Sequence, residues 1–190
     1  MDKNQKFLIL IILFSIFIRI PYLNCPLQPD EGFFAYIAHF WLKGINFYKS
    51  CFFNMLPGLP LLYAFIFKTF GTEVYAFRLF LAIWNAISVL FIYLISCRLL
   101  DEKKALASAF IFAYLSWLPT LQGITQKELF MLLPYLIALY LYLFYQNKRW
   151  GYLFFSGIFL ALAIVIRQTA TPLLFHFLLF IYIQSKRKGK

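Results

Sequence analysis

Long uncharged stretches alternate with short charged clusters along almost the whole chain of 190 residues. The first stretch predicts a helix over residues 7–23. Five later stretches predict further helices over residues 74–98, 105–126, 128–147, 150–166 and 168–184. Each stretch is long enough, or nearly so, to cross about 30 Å of hydrocarbon at about 1.5 Å per residue. Lipid favours helices, because it offers backbone N–H and C=O groups no hydrogen-bond partners. The pattern therefore predicts an all-α polytopic membrane protein, one membrane domain over residues 1–190 with about six transmembrane helices.

The first apolar stretch admits two interpretations. Lys3 and Lys6 precede it, as positive residues precede the apolar part of a signal peptide. No small-residue cleavage site follows, which favours an uncleaved transmembrane helix. In that case Arg19 lies near the end of the helix, where its long side chain would extend to the membrane surface.

Residues 24–73, between the first and second spans, are too interrupted to form a simple pair of spans. Asp30 is suited to cap a helix over residues 31–43, since its carboxylate can accept from the exposed N–H groups of the first turn. A second helix over residues 60–70 follows a break that contains two prolines. The apolar residues of the first of these helices recur at helical spacing and would face the membrane: Phe34, Ile37, Ala38 and Trp41. The loop is therefore predicted to carry two juxtamembrane helices.

Composition and charge agree with lipid as the solvent. Hydrophobic residues make up 63% of the chain and charged residues 13%, with a mean hydropathy of +0.78, and a small soluble domain could not bury that much apolar surface. The formal net charge is +11, but the basic residues stand at the ends of apolar stretches, so nucleic acid is not an expected partner. In a six-span arrangement the basic clusters fall on one side, which the positive-inside rule assigns to the cytoplasm. We expect a multi-pass protein of the cell (inner or plasma) membrane, in contact with membrane lipid, with both termini cytoplasmic.

This orientation brings charged residues that are far apart in the sequence to the outer face of the membrane. The outer loop and a turn predicted over residues 123–127 both lie on that face. Five charged residues are candidates for a functional site there: Asp30, Glu31, Arg78, Glu128 and Arg167. Charged groups at a membrane are costly unless they bind or react with something. The outer face is therefore the predicted location of the chemistry.

Several segments, in order along the chain, carry a family resemblance. They are residues 29–36 (PDEGFFAY), 57–63 (PGLPLLY), 70–71 (FG), 76–79 (AFRL) and 157–170 (GIFLALAIVIRQTA). In this order they resemble the first part of lipid-phosphosugar glycosyltransferases of the GT-C fold. The group they resemble comprises the bacterial relatives of protein O-mannosyltransferases and of the aminoarabinose transferase that modifies lipid A, the glycosyltransferase family 39-like enzymes.

The resemblance implies sugar transfer outside the cytoplasm, from a polyprenyl-phosphate-linked sugar to a hydroxyl on a lipid, glycan or protein acceptor. The family's first-loop acid falls on Asp30, which would be the general base; its second acidic position falls on Glu128 and its basic position on Arg167. Independently of the family, a carboxylate can take the proton of an attacking hydroxyl, and cations stabilise a phosphate leaving group. Family members continue through further spans, so a second chain that supplies the missing helices could be a partner.

Each candidate residue also has a structural interpretation. Asp30 could simply cap its helix. Glu31 could ligate a divalent cation together with Asp30, the one cofactor that the sequence suggests, or it could interact with the helix dipole, as Glu128 could. Arg78 and Arg167 could be interfacial anchors instead of phosphate ligands.

Two classes of function follow from these residues. One is a glycosyltransferase, or its amino-terminal half, with Asp30 as base. The other is a non-catalytic membrane subunit or truncated remnant that binds polyprenyl-phosphate lipid or a partner half. A small transporter agrees less well with the sequence, because the five later spans lack buried charge and show no inverted repeat.

Overall fold

The computed structural model describes residues 2–45, 49, 55–117, 119–145 and 150–188, and the regular structure of these residues is helical throughout. Their α-helices are α1 (Lys3–Phe17), α2 (Pro29–Leu42), α3 (Gly58–Phe70), α4 (Val74–Leu99), α5 (Glu102–Leu115), α6 (Pro119–Tyr145), α7 (Trp150–Ile166) and α8 (Thr171–Lys188). Short 3₁₀ helices follow α1 at Ile20–Tyr22 and α7 at Gln168–Ala170. The prediction of an all-α chain is confirmed for this part of the protein.

Two segments of the described chain are long and apolar enough to cross a membrane, Lys3–Tyr22 and Val74–Leu99. They correspond to the first and second predicted spans. Two shorter apolar helices, α3 and α7, fall below that length. The total of six transmembrane helices stays a prediction.

The start of α2 differs from the sequence prediction. The helix begins at Pro29 rather than at residue 31, and Gln28 is its N-cap residue. The Glu31 carboxylate accepts from the backbone N–H of Gln28 at 2.7 Å, which satisfies a donor that the helix itself leaves free. Asp30 therefore lies inside the first turn and does not cap the helix. At the other end, Gly44 with φ of +84° follows the helix, a conformation that glycine adopts without steric cost.

The break between α5 and α6 corrects the predicted turn over residues 123–127. The chain leaves α5 after Leu115, and α6 runs without interruption from Pro119 to Tyr145. Proline at the first position of a helix costs no hydrogen bond, because that N–H has no partner within the helix. Pro134 lies inside α6 and is buried; packing against neighbouring helices makes such a proline tolerable.

The long helices pack against one another through three apolar clusters. Helix α1 packs against α4 and α5, and α4 also packs against α6, which in turn lies along α7. Small side chains on one face of α5 are fully buried and allow close approach to α1 and α4: Ala105, Ala109 and Ala113. Within the α6–α7 pair, the Ser156 hydroxyl donates to the Ala138 carbonyl at 2.8 Å.

Helices α2 and α3 pack on the end of this bundle rather than lying freely on a membrane surface. Phe34, Ile37 and Ala38 of α2, predicted to face lipid, are buried in the protein. The Phe34 ring lies 6.2 Å from that of Tyr63 in α3, and α3 itself contacts α4 and α7. The apolar face of α2 is therefore used to attach the helix to the bundle.

Arg19 also differs from its predicted surface position, because it is buried. Its Nη2 donates to the Ser116 carbonyl at 2.7 Å and to the Ser116 hydroxyl at 3.2 Å. Asn85 of α4 donates to the same hydroxyl at 3.1 Å. Ser116 is the C-cap residue of α5, and the carbonyls at a helix C-terminus attract a cation. Arg19 therefore connects the ends of α1 and α5, and Asn85, in the middle of α4, contacts the same serine.

Candidate functional site

The predicted site residues meet at one end of the bundle, the rim, where α4 begins, α7 ends and α6 is about two turns past its start. They form three ion pairs there: Arg78 with Glu31, Lys127 with Asp30, and Arg167 with Glu128. Two of the pairs join residues of different helices, and the third joins Glu128 of α6 to Arg167, which follows α7. The rim therefore brings together all five residues that the sequence singled out, and adds Lys127.

The Glu31–Arg78 pair is the most buried of the three. Nη1 and Nη2 of Arg78 each lie 2.9 Å from a different oxygen of Glu31, and Nη2 also donates to the Pro26 carbonyl at 3.0 Å. The side chains are only 4% and 10% exposed for Glu31 and Arg78, respectively. Such a bidentate pair fixes both orientation and distance. It attaches α2 to α4 and engages both carboxylate oxygens of Glu31.

Asp30 is the exposed carboxylate of the rim. Its side chain is 65% exposed, and its Oδ2 is paired with Nζ of Lys127. Lys127 in turn lies 5.3 Å from the centre of the Phe34 ring. An exposed carboxylate on a helix that is itself firmly attached can meet a hydroxyl from solvent, which is the position a general base requires.

Arg167 and Glu128 form the third pair, between the end of α7 and α6. Arg167 Nη2 lies 2.6 Å from Glu128 Oε1, and Arg167 Nε donates to the Thr169 hydroxyl at 2.9 Å. The Oε2 atom of Glu128 is buried and has no hydrogen-bond partner within the described residues. The guanidinium is therefore held in a fixed plane beside the start of α8.

The two adjacent carboxylates of α2 bind different cations. Successive residues of a helix point in different directions and do not face each other, so Asp30 meets Lys127 while Glu31 meets Arg78. The described part of the chain contains no cluster of three or more His, Cys, Asp or Glu that could hold a metal ion. The donor set at the rim thus does not suit the divalent cation that the sequence suggested.

A cavity of about 190 Å³ opens between these helices. Its apolar lining is Phe34, Met55, Leu56, Leu59 and Ile166, and its polar lining is Lys127, Arg167, Gln168 and Thr169. It is smaller than the roughly 300–1,000 Å³ typical of small-molecule pockets. Two cations beside an apolar wall suit the anionic end of an amphiphile rather than a whole lipid.

Gly58 determines how closely α3 approaches the end of α7. A Cβ atom on this residue would lie 2.5 Å from the carbonyl carbon of Val165 and 2.6 Å from the backbone nitrogen of Ile166. Only glycine can occupy such a position without moving the backbone. Leu59 of α3 and Ile166 of α7 both line the cavity. The backbone contact therefore sets the distance between these two sides of the cavity.

An aromatic cluster lies beneath the ion pairs. The ring of Tyr63, which is buried, lies 4.6 Å from that of Phe77 and 5.8 Å from that of Phe130. Burial raises the pKa of Tyr63 well above its ordinary value, and the negative charge of Glu31 adds to this shift. The phenol is therefore neutral beneath the three ion pairs.

Lys127 is the site residue that the sequence did not single out. Its position immediately before Glu128 was the available signal, but the predicted turn over residues 123–127 placed it in a connection. In the structure residue 127 is in α6, and its side chain points to Asp30 and to the cavity.

Fold and site together define a class: a helical membrane protein with a charged cavity at one end of its bundle. Residues 56–190 match the family model described as dolichyl-phosphate-mannose-protein mannosyltransferase. The chain therefore belongs to this family, and it is a membrane glycosyltransferase relative of the GT-C type. Arg78, Lys127, Glu128 and Arg167 lie inside the matched region, whereas Asp30 precedes it. No curated protein and no solved structure matches the chain.

Proposed function

We propose that this chain, or a larger assembly that contains it, transfers a sugar from a polyprenyl-phosphate donor to a hydroxyl acceptor at the outer face of the cell membrane. Its family description names a dolichyl-phosphate-linked mannose as donor and protein as acceptor; for this chain the donor class is taken over, and the acceptor is a hydroxyl of a lipid, glycan or protein. The termini lie in the cytoplasm, so the rim is extracytoplasmic.

One observation carries the proposal: an exposed carboxylate lies next to a cavity with two cations and an apolar wall. Asp30 contacts Lys127, which lines the cavity together with Arg167. A polyprenyl-phosphate sugar has an apolar chain, a charged phosphate and a polar sugar. The small cavity accommodates its phosphate end, while the isoprenoid chain extends into lipid.

In the proposed reaction Asp30 takes the proton of the acceptor hydroxyl. The acceptor oxygen forms a bond to the anomeric carbon of the sugar as the bond between that carbon and the phosphate oxygen breaks. The electron pair of the broken bond stays on the phosphate, and the products are the glycosylated acceptor and polyprenyl phosphate. Arg167 stabilises the charge that develops on this phosphate, since a guanidinium matches two phosphate oxygens at once. Glu128 positions Arg167 through their ion pair.

The test is the variant Asp30→Asn in membranes supplied with a panel of polyprenyl-phosphate-linked sugars. We expect release of polyprenyl phosphate to fall by roughly 10²–10⁴-fold, the usual contribution of a general base, while donor binding is retained. Asp101→Asn is the matched control, because Asp101 lies at the N-cap of α5, far from the rim, and asparagine caps helices as well as aspartate.

The alternative function, a non-catalytic membrane subunit that binds polyprenyl-phosphate lipid or a partner half, predicts a different result. In that case Asp30→Asn and the unmodified protein would support the same phenotype at equal protein levels. Equal rates of transfer for Asp30→Asn and Asp101→Asn would refute Asp30 as the base.

A further inference from the structure

Lys127 contacts the very carboxylate that the proposed reaction needs. We propose that Lys127 is a phosphate-binding residue that is exchanged between two anions. It pairs with Asp30 while no anion is in the cavity, and it moves to the phosphate group of the donor when that group enters. The Asp30 oxygen is then open to the acceptor hydroxyl. This inference rests on the proposed donor chemistry and assigns a role to a residue outside the predicted site.

The position of Lys127 gives it access to both anions. Its Nζ is paired with Asp30 Oδ2, and the same side chain lines the cavity beside Arg167. The Phe34 ring, whose centre lies 5.3 Å from Nζ, attracts the ammonium group through its π face. The cation is therefore kept at the cavity wall even when Asp30 releases it.

Of the two cations in the cavity, Lys127 is the one that can be exchanged. Arg167 is held in two directions, by Glu128 and by Thr169, and its guanidinium is planar. Lysine is a compact charge on a flexible four-carbon stem. Its partner Asp30 is 65% exposed, against 34% for Glu128, so water can solvate the Asp30 carboxylate when the ion pair opens, and breaking an exposed pair costs little.

Both cations of the cavity already have anionic partners, so an entering phosphate must compete for one of them. Lys127 and Arg167 carry two positive charges, and their partners Asp30 and Glu128 carry two negative charges. A phosphate that enters this neutral group competes with Asp30 for the ammonium of Lys127. Competition of two anions for one cation is reciprocal: phosphate binding weakens the Asp30 contact, and removal of the Asp30 charge strengthens phosphate binding.

The carboxyl signal of Asp30 reports this exchange directly. The chain has three aspartates, Asp2, Asp30 and Asp101, so ¹³C-labelling of aspartate carboxyl groups gives a spectrum with three signals for the full chain in lipid nanodiscs. Asp30→Asn identifies the signal of Asp30. The probes are farnesyl phosphate, inorganic phosphate, and farnesol as the uncharged control. We expect farnesyl phosphate to shift the Asp30 signal toward its position in Lys127→Met, and to cause no such shift in Lys127→Met itself.

The three probes distinguish an isoprenoid phosphate from free phosphate as the ligand of Lys127. A shift with inorganic phosphate alone also supports the exchange and shows that the head group suffices. An equal shift with farnesol, an equal shift in Lys127→Met, or failure of both phosphates to bind the unmodified chain would overturn it.

Affinity measurements separate the exchange from a merely structural role. Lys127→Met should weaken farnesyl phosphate binding about fivefold or more, because it removes the cation that binds the phosphate. Asp30→Asn should strengthen binding, because it removes the anion that competes with the phosphate for Lys127. Lys127→Arg should restore most of the affinity. If both Lys127→Met and Asp30→Asn weaken binding, the pair is structural and the exchange is refuted.

Transfer without a Lys127-dependent shift would refute the exchange alone, whereas a Lys127-dependent shift without transfer would refute only the proposed enzymatic function.

Discussion

The buried Glu31–Arg78 pair makes a quantitative prediction about stability. The variant Glu31→Gln keeps the size of the side chain and removes its charge. Arg78, with a side chain only 10% exposed, then carries a buried charge without its anionic partner. We expect the free energy of unfolding to fall, because a buried cation without a counter-ion is far less favourable than the intact pair.

The structure sets the size of this effect. Removing one partner of a buried ion pair typically costs about 3–5 kcal/mol. Here Arg78 also donates to the Pro26 carbonyl, and the introduced amide oxygen can still accept one hydrogen bond, so we expect the lower end, about 3 kcal/mol. Glu31→Gln/Arg78→Met should be less destabilised than the sum of the two single variants, because residues in direct contact are not additive.

The measurement is reversible unfolding in mixed detergent micelles, followed by tryptophan fluorescence. Lys104→Met is the control, because Lys104 pairs with Asp101 in an exposed ion pair whose side chains are 71% and 56% exposed. Exposed pairs contribute at most about 1 kcal/mol. If Glu31→Gln unfolds with the same free energy as Lys104→Met, the attachment of α2 to α4 does not depend on this pair and the reasoning is wrong.

Two further predictions concern backbone approach and helix ends. Gly58→Ala should destabilise the protein by about 1–3 kcal/mol, as overpacking usually does, because the added Cβ meets the backbone of Val165. The control Gly157→Ala should not destabilise the protein, because a Cβ at that position meets open space. Equal unfolding free energies for the two variants would contradict the close contact. Arg19→Met should cost about 1–3 kcal/mol by leaving the partly buried Ser116 carbonyl without its donor. Arg19→Lys should recover part of that loss in the same assay, and an unchanged unfolding curve for Arg19→Met would refute the capping role.

Which charged residues gather at the rim could be predicted from the sequence. The alternation of apolar stretches places the ends of successive helices on the same side, so Asp30, Glu128 and Arg167 were expected together, and the structure places them there in ion pairs. Arg78 was also expected at the same face. Their roles in binding or catalysis stay predictions, since the ion pairs describe position and not activity.

Helix boundaries were harder to predict from the sequence. The predicted turn over residues 123–127 depended on local polarity, yet the chain breaks before Pro119 and residues 123–127 are helical. A polar residue at a bundle end can continue a helix when its side chain finds a partner, as Lys127 does with Asp30. That partner is 97 residues away in the sequence, which local pattern does not reveal.

The sequence by itself determined the helical class, the apolar character and the approximate positions of the helices, because these follow from local composition and spacing. Tertiary structure alone decided which charges pair. Adjacent carboxylates on one helix diverge in direction, so Glu31 is buried against Arg78 while Asp30 is exposed beside Lys127. That choice depends on how α2 packs on α3, α4 and α6, and such contacts between distant segments arise only when the chain has folded.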